Sequence, residues 1–116
     1  MRVFKVTGAA RVTLAGLTVA HGNDSSDECE GSCGGGIKIE AGASVTLTHS
    51  TLSGNSADAG GGIFNEGGTL TLNHSTLSSN SAVFEGGGIR NYGGTLTLQN
   101  STLSGNSVDY YAFVST

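Results

Sequence analysis

Proline and tryptophan are absent from the 116 residues, and only 12% of the side chains are charged. So little charge, with Leu, Val and Ile recurring in short alternating runs, does not keep a chain unfolded. Basic residues are scarce, 5 against 9 acidic, and the net charge of −4 excludes the basic footprint that nucleic acid requires. No apolar run is long enough to span a bilayer. The opening residues, Met1-Arg2-Val3-Phe4-Lys5-Val6, lack the continuous apolar stretch of a signal peptide and start like the middle of a strand. The expectation is a fragment of a longer protein, or a chain whose export signal was removed or never present. No segment of useful length carries a 3.6-residue apolar period, which excludes helical solenoids. The asparagine-bearing consensus of leucine-rich repeats is missing too.

Glycine is what the sequence has in excess: 20 of 116 residues, more than twice the average usage of roughly 7%. In an ordered chain this points to many turns and close backbone approaches. The glycines belong to a repeat of roughly twenty-five residues. Gly34-Gly35-Gly36-Ile37 recurs as Gly60-Gly61-Gly62-Ile63 and as Gly86-Gly87-Gly88-Ile89. Ser44-Val45-Thr46-Leu47-Thr48 recurs as Thr69-Leu70-Thr71-Leu72 and as Thr95-Leu96-Thr97-Leu98. Thr51-Leu52-Ser53-Gly54-Asn55-Ser56 returns at Thr76–Ser81 and Thr102–Ser107. The three pieces keep their order, each with period two and each bounded by Gly, Asn or Ser.

This pattern predicts an all-β chain, a right-handed parallel β-helix: a single-stranded β-solenoid with three short strands per coil and about 3.5–4 coils. Residues 1–116 form one β-helix domain or fragment. It divides into an irregular first coil (1–23), a polar insert (24–33), regular repeats (34–107) and a non-repeat tail (108–116). In-register stacking places Val45, Leu70 and Leu96 in one inward ladder and Leu47, Leu72 and Leu98 in the next. Ile37, Ile63 and Ile89 form a third; Leu52, Leu77 and Leu103 form a fourth. Asn55, Asn80 and Asn106 fall at a corner, as a column able to hydrogen-bond along itself, and Asn tolerates the left-handed backbone of such bends. The triple glycines give the chain room to turn where a Cβ would clash. The tail, Tyr110-Tyr111-Ala112-Phe113-Val114, abandons the pattern and reads as the torn start of a further coil rather than a cap.

These motifs resemble the repeats of the polymorphic outer membrane protein family and related bacterial right-handed β-helix proteins. Gly61-Gly62-Ile63 and its copies match that family's Gly-Gly-Ala-Ile, with Gly for Ala. Leu52-x-x-Asn55, Leu77-x-x-Asn80 and Leu103-x-x-Asn106 match its Phe-x-x-Asn, with Leu for Phe. The resemblance runs from Val12 to Ser107. It implies a pectin lyase-like fold, an exported and outer-membrane-associated cell-surface protein, and adhesive contact with surface carbohydrate or host-surface protein.

Candidate sites compete with plainer readings. Cys29 and Cys33 are a candidate local disulfide in an oxidising compartment, with free thiols in a loop as the alternative. Asp24, Asp27, Glu28 and Glu30 could gather Ca2+, but a solvated acidic loop is favoured and no cofactor is expected. Glu40 and Glu66 stack as neighbouring carboxylates, the groups that glycoside hydrolysis uses. Tyr92 takes the next copy, and Arg90 lies where it could neutralise Glu66 diagonally, so a surface ion pair is favoured. His49 and His74 stack, followed by Asn100, and read as water-facing turn positions before they read as metal ligands. Thr46, Thr71 and Thr97 form an exposed column, a candidate binding surface shared with Glu40 and Glu66. Strand preference alone accounts for the threonines.

No Ser-His-Asp or Cys-His arrangement can be assembled, so no catalytic residue is assigned. The expected function is a non-catalytic structural or adhesive module of an exported bacterial protein. A polysaccharide-binding or pectate-lyase-like fragment is the alternative, and an ice-binding module stands third. Unpaired strand edges at the coil ends also make end-to-end self-association an expectation.

Overall fold

Short period-two segments cannot bury an apolar face alone, so each must pair with its copy in the next repeat. A computed structural model, describing residues 3–24 and 34–108, shows them doing so. Among the described residues, sixteen strands lie in four parallel sheets and there is no helix. Coil 1 holds β1 (Phe4–Val6), β2 (Arg11–Ala15), β3 (Thr18–Ala20) and β4 (Asn23–Asp24). Coil 2 holds β5 (Ile37–Ile39), β6 (Ser44–Thr48), β7 (Thr51–Ser53) and β8 (Ser56–Ala59). Coil 3 holds β9 (Ile63–Glu66), β10 (Thr69–Asn73), β11 (Thr76–Ser78) and β12 (Ser81–Glu85). Coil 4 holds β13 (Ile89–Tyr92), β14 (Thr95–Gln99), β15 (Thr102–Ser104) and β16 (Ser107–Val108).

Sheet 1 is β1-β5-β9-β13 and sheet 2 is β2-β6-β10-β14; sheets 3 and 4 collect the third and fourth strands of each coil. The coil therefore has four strands, not the three expected. The fourth was hidden because its repeated pattern is only two residues long, Ser56-Ala57, Ser81-Ala82 and Ser107-Val108, and the buried Ala57 and Ala82 are small. Beyond that pair the register breaks at a bulge between Ala82 and Glu85. The first copy of the fourth strand is Asn23–Asp24.

The inward ladders form as expected. Leu70 pairs with Val45 and Leu96, Leu72 with Leu47 and Leu98, Ile63 with Ile37 and Ile89, and Leu77 with Leu52 and Leu103. Coil 1 extends them through Val12, Leu14, Phe4 and Val19. In coils 2 and 3 these side chains are fully buried, each contributing about 1.5–3 kcal/mol. In coil 4, Leu98 is 45% and Leu103 42% exposed.

The triple glycines serve close approach more than turning. A Cβ on Gly61 would stand 2.1 Å from the Ser81 carbonyl oxygen and 2.4 Å from that of Gly87. No side chain fits there. Gly60, at φ +65°, supplies the turn.

Candidate functional site

Polar side chains divide into those that hold the coils together and those left for contact with something else. Asn55 and Asn80 belong to the first group and are fully buried. The Asn80 Oδ1 accepts from the Asn55 Nδ2 at 3.0 Å and from the Asn55 backbone N–H at 3.1 Å. Asn106 repeats both bonds toward Asn80, each at 3.0 Å. The left-handed backbone expected of these asparagines falls one residue earlier, on Gly54, Ser79 and Gly105. The reason is spatial: the residue at the bend projects into solvent, while the next one turns its amide inward to the column.

A second column was not anticipated. The Ser75 Oγ accepts from the Ser50 N–H at 3.2 Å, and the Ser101 Oγ from the Ser75 N–H at 3.1 Å. Its signal was available, since Ser50, Ser75 and Ser101 each precede a repeated Thr-Leu-Ser. A third, shorter column joins the Asn65 Nδ2 to the Asn91 Oδ1 at 2.8 Å. It was obscured because Ile39 occupies the register in coil 2.

Outside, the expected Thr46, Thr71 and Thr97 column is in register, and Thr13 continues it in coil 1. Sheet 3 carries a matching column, Thr18, Thr51, Thr76 and Thr102. These faces are uniform and nearly uncharged. His49 and His74 stack as expected, with centroids 5.0 Å apart and planes inclined by 7°. Both are exposed, and they share φ +49° with Asn100. Among the described residues, no group of three or more His, Cys, Asp or Glu is placed to hold a metal ion. Cys29, Cys33, Asp27, Glu28 and Glu30 lie outside the described residues, as does the Asp24 side chain.

The irregular residues converge on the outer face of sheet 1. Register puts Lys5, Lys38, Phe64 and Arg90 in one column and Glu66 opposite Tyr92 in another. Glu40 and Glu66 do not stand as a bare carboxylate pair. The Lys38 Nζ lies 3.8 Å from an oxygen of each, and the Lys5 Nζ lies 3.7 Å from Glu40. Lys38 is only 9% exposed, and its ammonium is 5.9 Å from the Phe64 ring centroid.

Arg90 does not neutralise Glu66 as expected. It pairs with Glu85, because the bulge between Ala82 and Glu85 brings that carboxylate beside it. Its guanidinium carbon is 5.4 Å from the Phe64 centroid and 5.1 Å from that of Tyr92. Phe64 is 2% exposed while Tyr92 is 59% exposed. The face therefore offers an aromatic ring backed by a fixed cation, beside carboxylates whose charge is already balanced. Such a surface can stack and hydrogen-bond. The hint in the sequence was the position after each Gly-Gly-Gly-Ile, where Lys, Phe and Arg vary while their surroundings repeat.

No family model, curated protein or solved structure matches this chain. Among the described residues, no helix is long and apolar enough to cross a membrane.

Proposed function

We propose that the chain is a non-catalytic structural and adhesive module of an exported, cell-surface bacterial protein, with sheet 1 as its contact face. The carrying observation is the segregation of side chains. Asn55, Asn80, Ser50 and Ser75 are committed to columns between coils, whereas Tyr92, Arg90, Glu66 and Glu40 gather outside on one sheet. The Gly-Gly-x-Ile and Leu-x-x-Asn repeats, which resemble those of polymorphic outer membrane proteins, support surface display. A right-handed winding is part of the same reading, since parallel crossovers take that hand in about 98% of cases.

Lys38 is held between Glu40 and Glu66, which favours adhesion over glycosidic cleavage. A general acid and base need distinct environments, and here one cation serves both carboxylates. Two measurements test the reading. Beads coated with the chain should adhere to epithelial monolayers, and Tyr92→Ala beads should adhere several-fold less. Polygalacturonate should stay intact with or without calcium. Equal adherence of both beads, or cleavage that disappears in Glu66→Gln, would overturn the proposal.

A further inference from the structure

The bend between the second and third strands carries Gly16, His49, His74 and Asn100 in coils 1 to 4. All four stand in the left-handed region, Gly16 at φ +65° and the other three at φ +49°. Glycine meets that conformation without strain, so the bend itself does not call for histidine. A strained backbone kept in two successive coils points to a role for the side chains. Coils 2 and 3 each have a coil on both sides, so the pair is flanked above and below.

The shared backbone sends the two imidazoles out side by side. Their centroids are 5.0 Å apart and their planes are inclined by only 7°. Both side chains are exposed, and neither imidazole makes a hydrogen bond or an ion pair among the described residues. All four ring nitrogens are therefore open to a ligand. Their neighbours in sequence, Thr48, Ser50, Asn73 and Ser75, carry no charge.

Neutral imidazole is the commonest protein ligand of divalent late first-row ions. Such an ion sits about 2.0–2.1 Å from each nitrogen, so two ligands to one ion stand no more than about 4.2 Å apart. Rings that nearly copy one another put like nitrogens about as far apart as their centroids. Tilting each ring about its exposed side-chain bonds closes the difference and brings one nitrogen of each onto the same ion. Water fills the ion's remaining positions, as it does at open sites.

We infer that His49 and His74 form a two-histidine site for a divalent late first-row transition ion, at the bend between sheets 2 and 3. The site goes beyond the contact face on sheet 1 and does not depend on it.

The probe is Zn2+, added to the whole chain at neutral pH while NMR follows the carbon-bound imidazole protons. Zn2+ should shift the His49 and His74 resonances together, along one saturation curve, and leave the exposed His21 in place. Mg2+, a hard ion that prefers oxygen, should shift neither. Glycine is the replacement that keeps the bend, as Gly16 does in coil 1, and circular dichroism checks the fold. Loss of a ligand costs no less than loss of an outer partner. His49→Gly and His74→Gly should therefore each weaken Zn2+ binding at the remaining histidine by at least about tenfold. Independent shifts of the two rings, unchanged affinity at either histidine when the other is glycine, or no shift at millimolar Zn2+ would overturn the inference. So would equal shifts at His21, which mark a loose response of any exposed imidazole. Zn2+ taken up at Cys29 and Cys33 without movement of His49 and His74 would likewise count against the site.

Discussion

The Oδ1 of Asn80 takes two hydrogen bonds from Asn55, one from its side-chain amide at 3.0 Å and one from its backbone at 3.1 Å. The Asn80 Nδ2 in turn donates to the Leu52 carbonyl at 3.0 Å. One buried amide thus satisfies groups in the coil below and, through Asn106, is satisfied by the coil above.

Asn80→Ala removes these partners at once and leaves the Asn55 N–H buried without an acceptor. Each unsatisfied buried group costs about 1–3 kcal/mol, so a loss of about 3 kcal/mol is expected. Asn106→Ala, at the exposed end of the column, should cost about 1 kcal/mol. Urea unfolding of the two variants checks the ratio, and equal losses would deny the column its role in stability.

Position in the stack should decide what a leucine contributes. Leu72 is fully buried and Leu98, its partner in coil 4, is 45% exposed. Leu72→Ala should destabilise by about 2–5 kcal/mol, and Leu98→Ala by less than about 1 kcal/mol. Thermal unfolding of both, on the same chain, separates burial from residue type.

Two glycines test close approach against turning. Gly61→Ala places a Cβ against two backbone oxygens and should prevent the native stack from forming. Gly93, at φ +73° with open space around its missing Cβ, should tolerate alanine at a cost of about 1–2 kcal/mol. Circular dichroism at 25 °C and a urea titration distinguish the outcomes; a folded Gly61→Ala chain contradicts the geometry.

Ser79 occupies the left-handed bend, at φ +55°, that Gly54 and Gly105 occupy in the adjacent coils. Ser79→Gly should relieve the Cβ strain, offset in part by extra freedom in the unfolded chain. A net gain of about 0.5–1 kcal/mol is expected. An unchanged or lowered melting temperature would show that the Ser79 side chain contributes more than its strain costs.

The ladders of Leu70, Leu72, Leu77 and Ile63 were legible because identical residues at fixed spacing can only be buried by stacking. The asparagine column was legible for the same reason. The serine column escaped notice although Ser50, Ser75 and Ser101 repeat as faithfully, since serine is common in turns and its hydroxyl has no obligatory role there. Sheet 4 escaped because its repeat is only Ser56-Ala57, Ser81-Ala82 and Ser107-Val108, too short to show a period of two.

By itself, then, the sequence determined the repeat, its parallel in-register stacking and the inward ladders. Periodicity constrains every coil at once, and a slip of one residue would turn the leucines to solvent. Only the tertiary structure decided the partners of the residues that do not repeat. Lys38 lies between Glu40 and Glu66, and Arg90 turns to Glu85 where a bulge breaks the register between Ala82 and Glu85. The direction of the columns likewise lies in how each amide is aimed. Residue spacing cannot specify that.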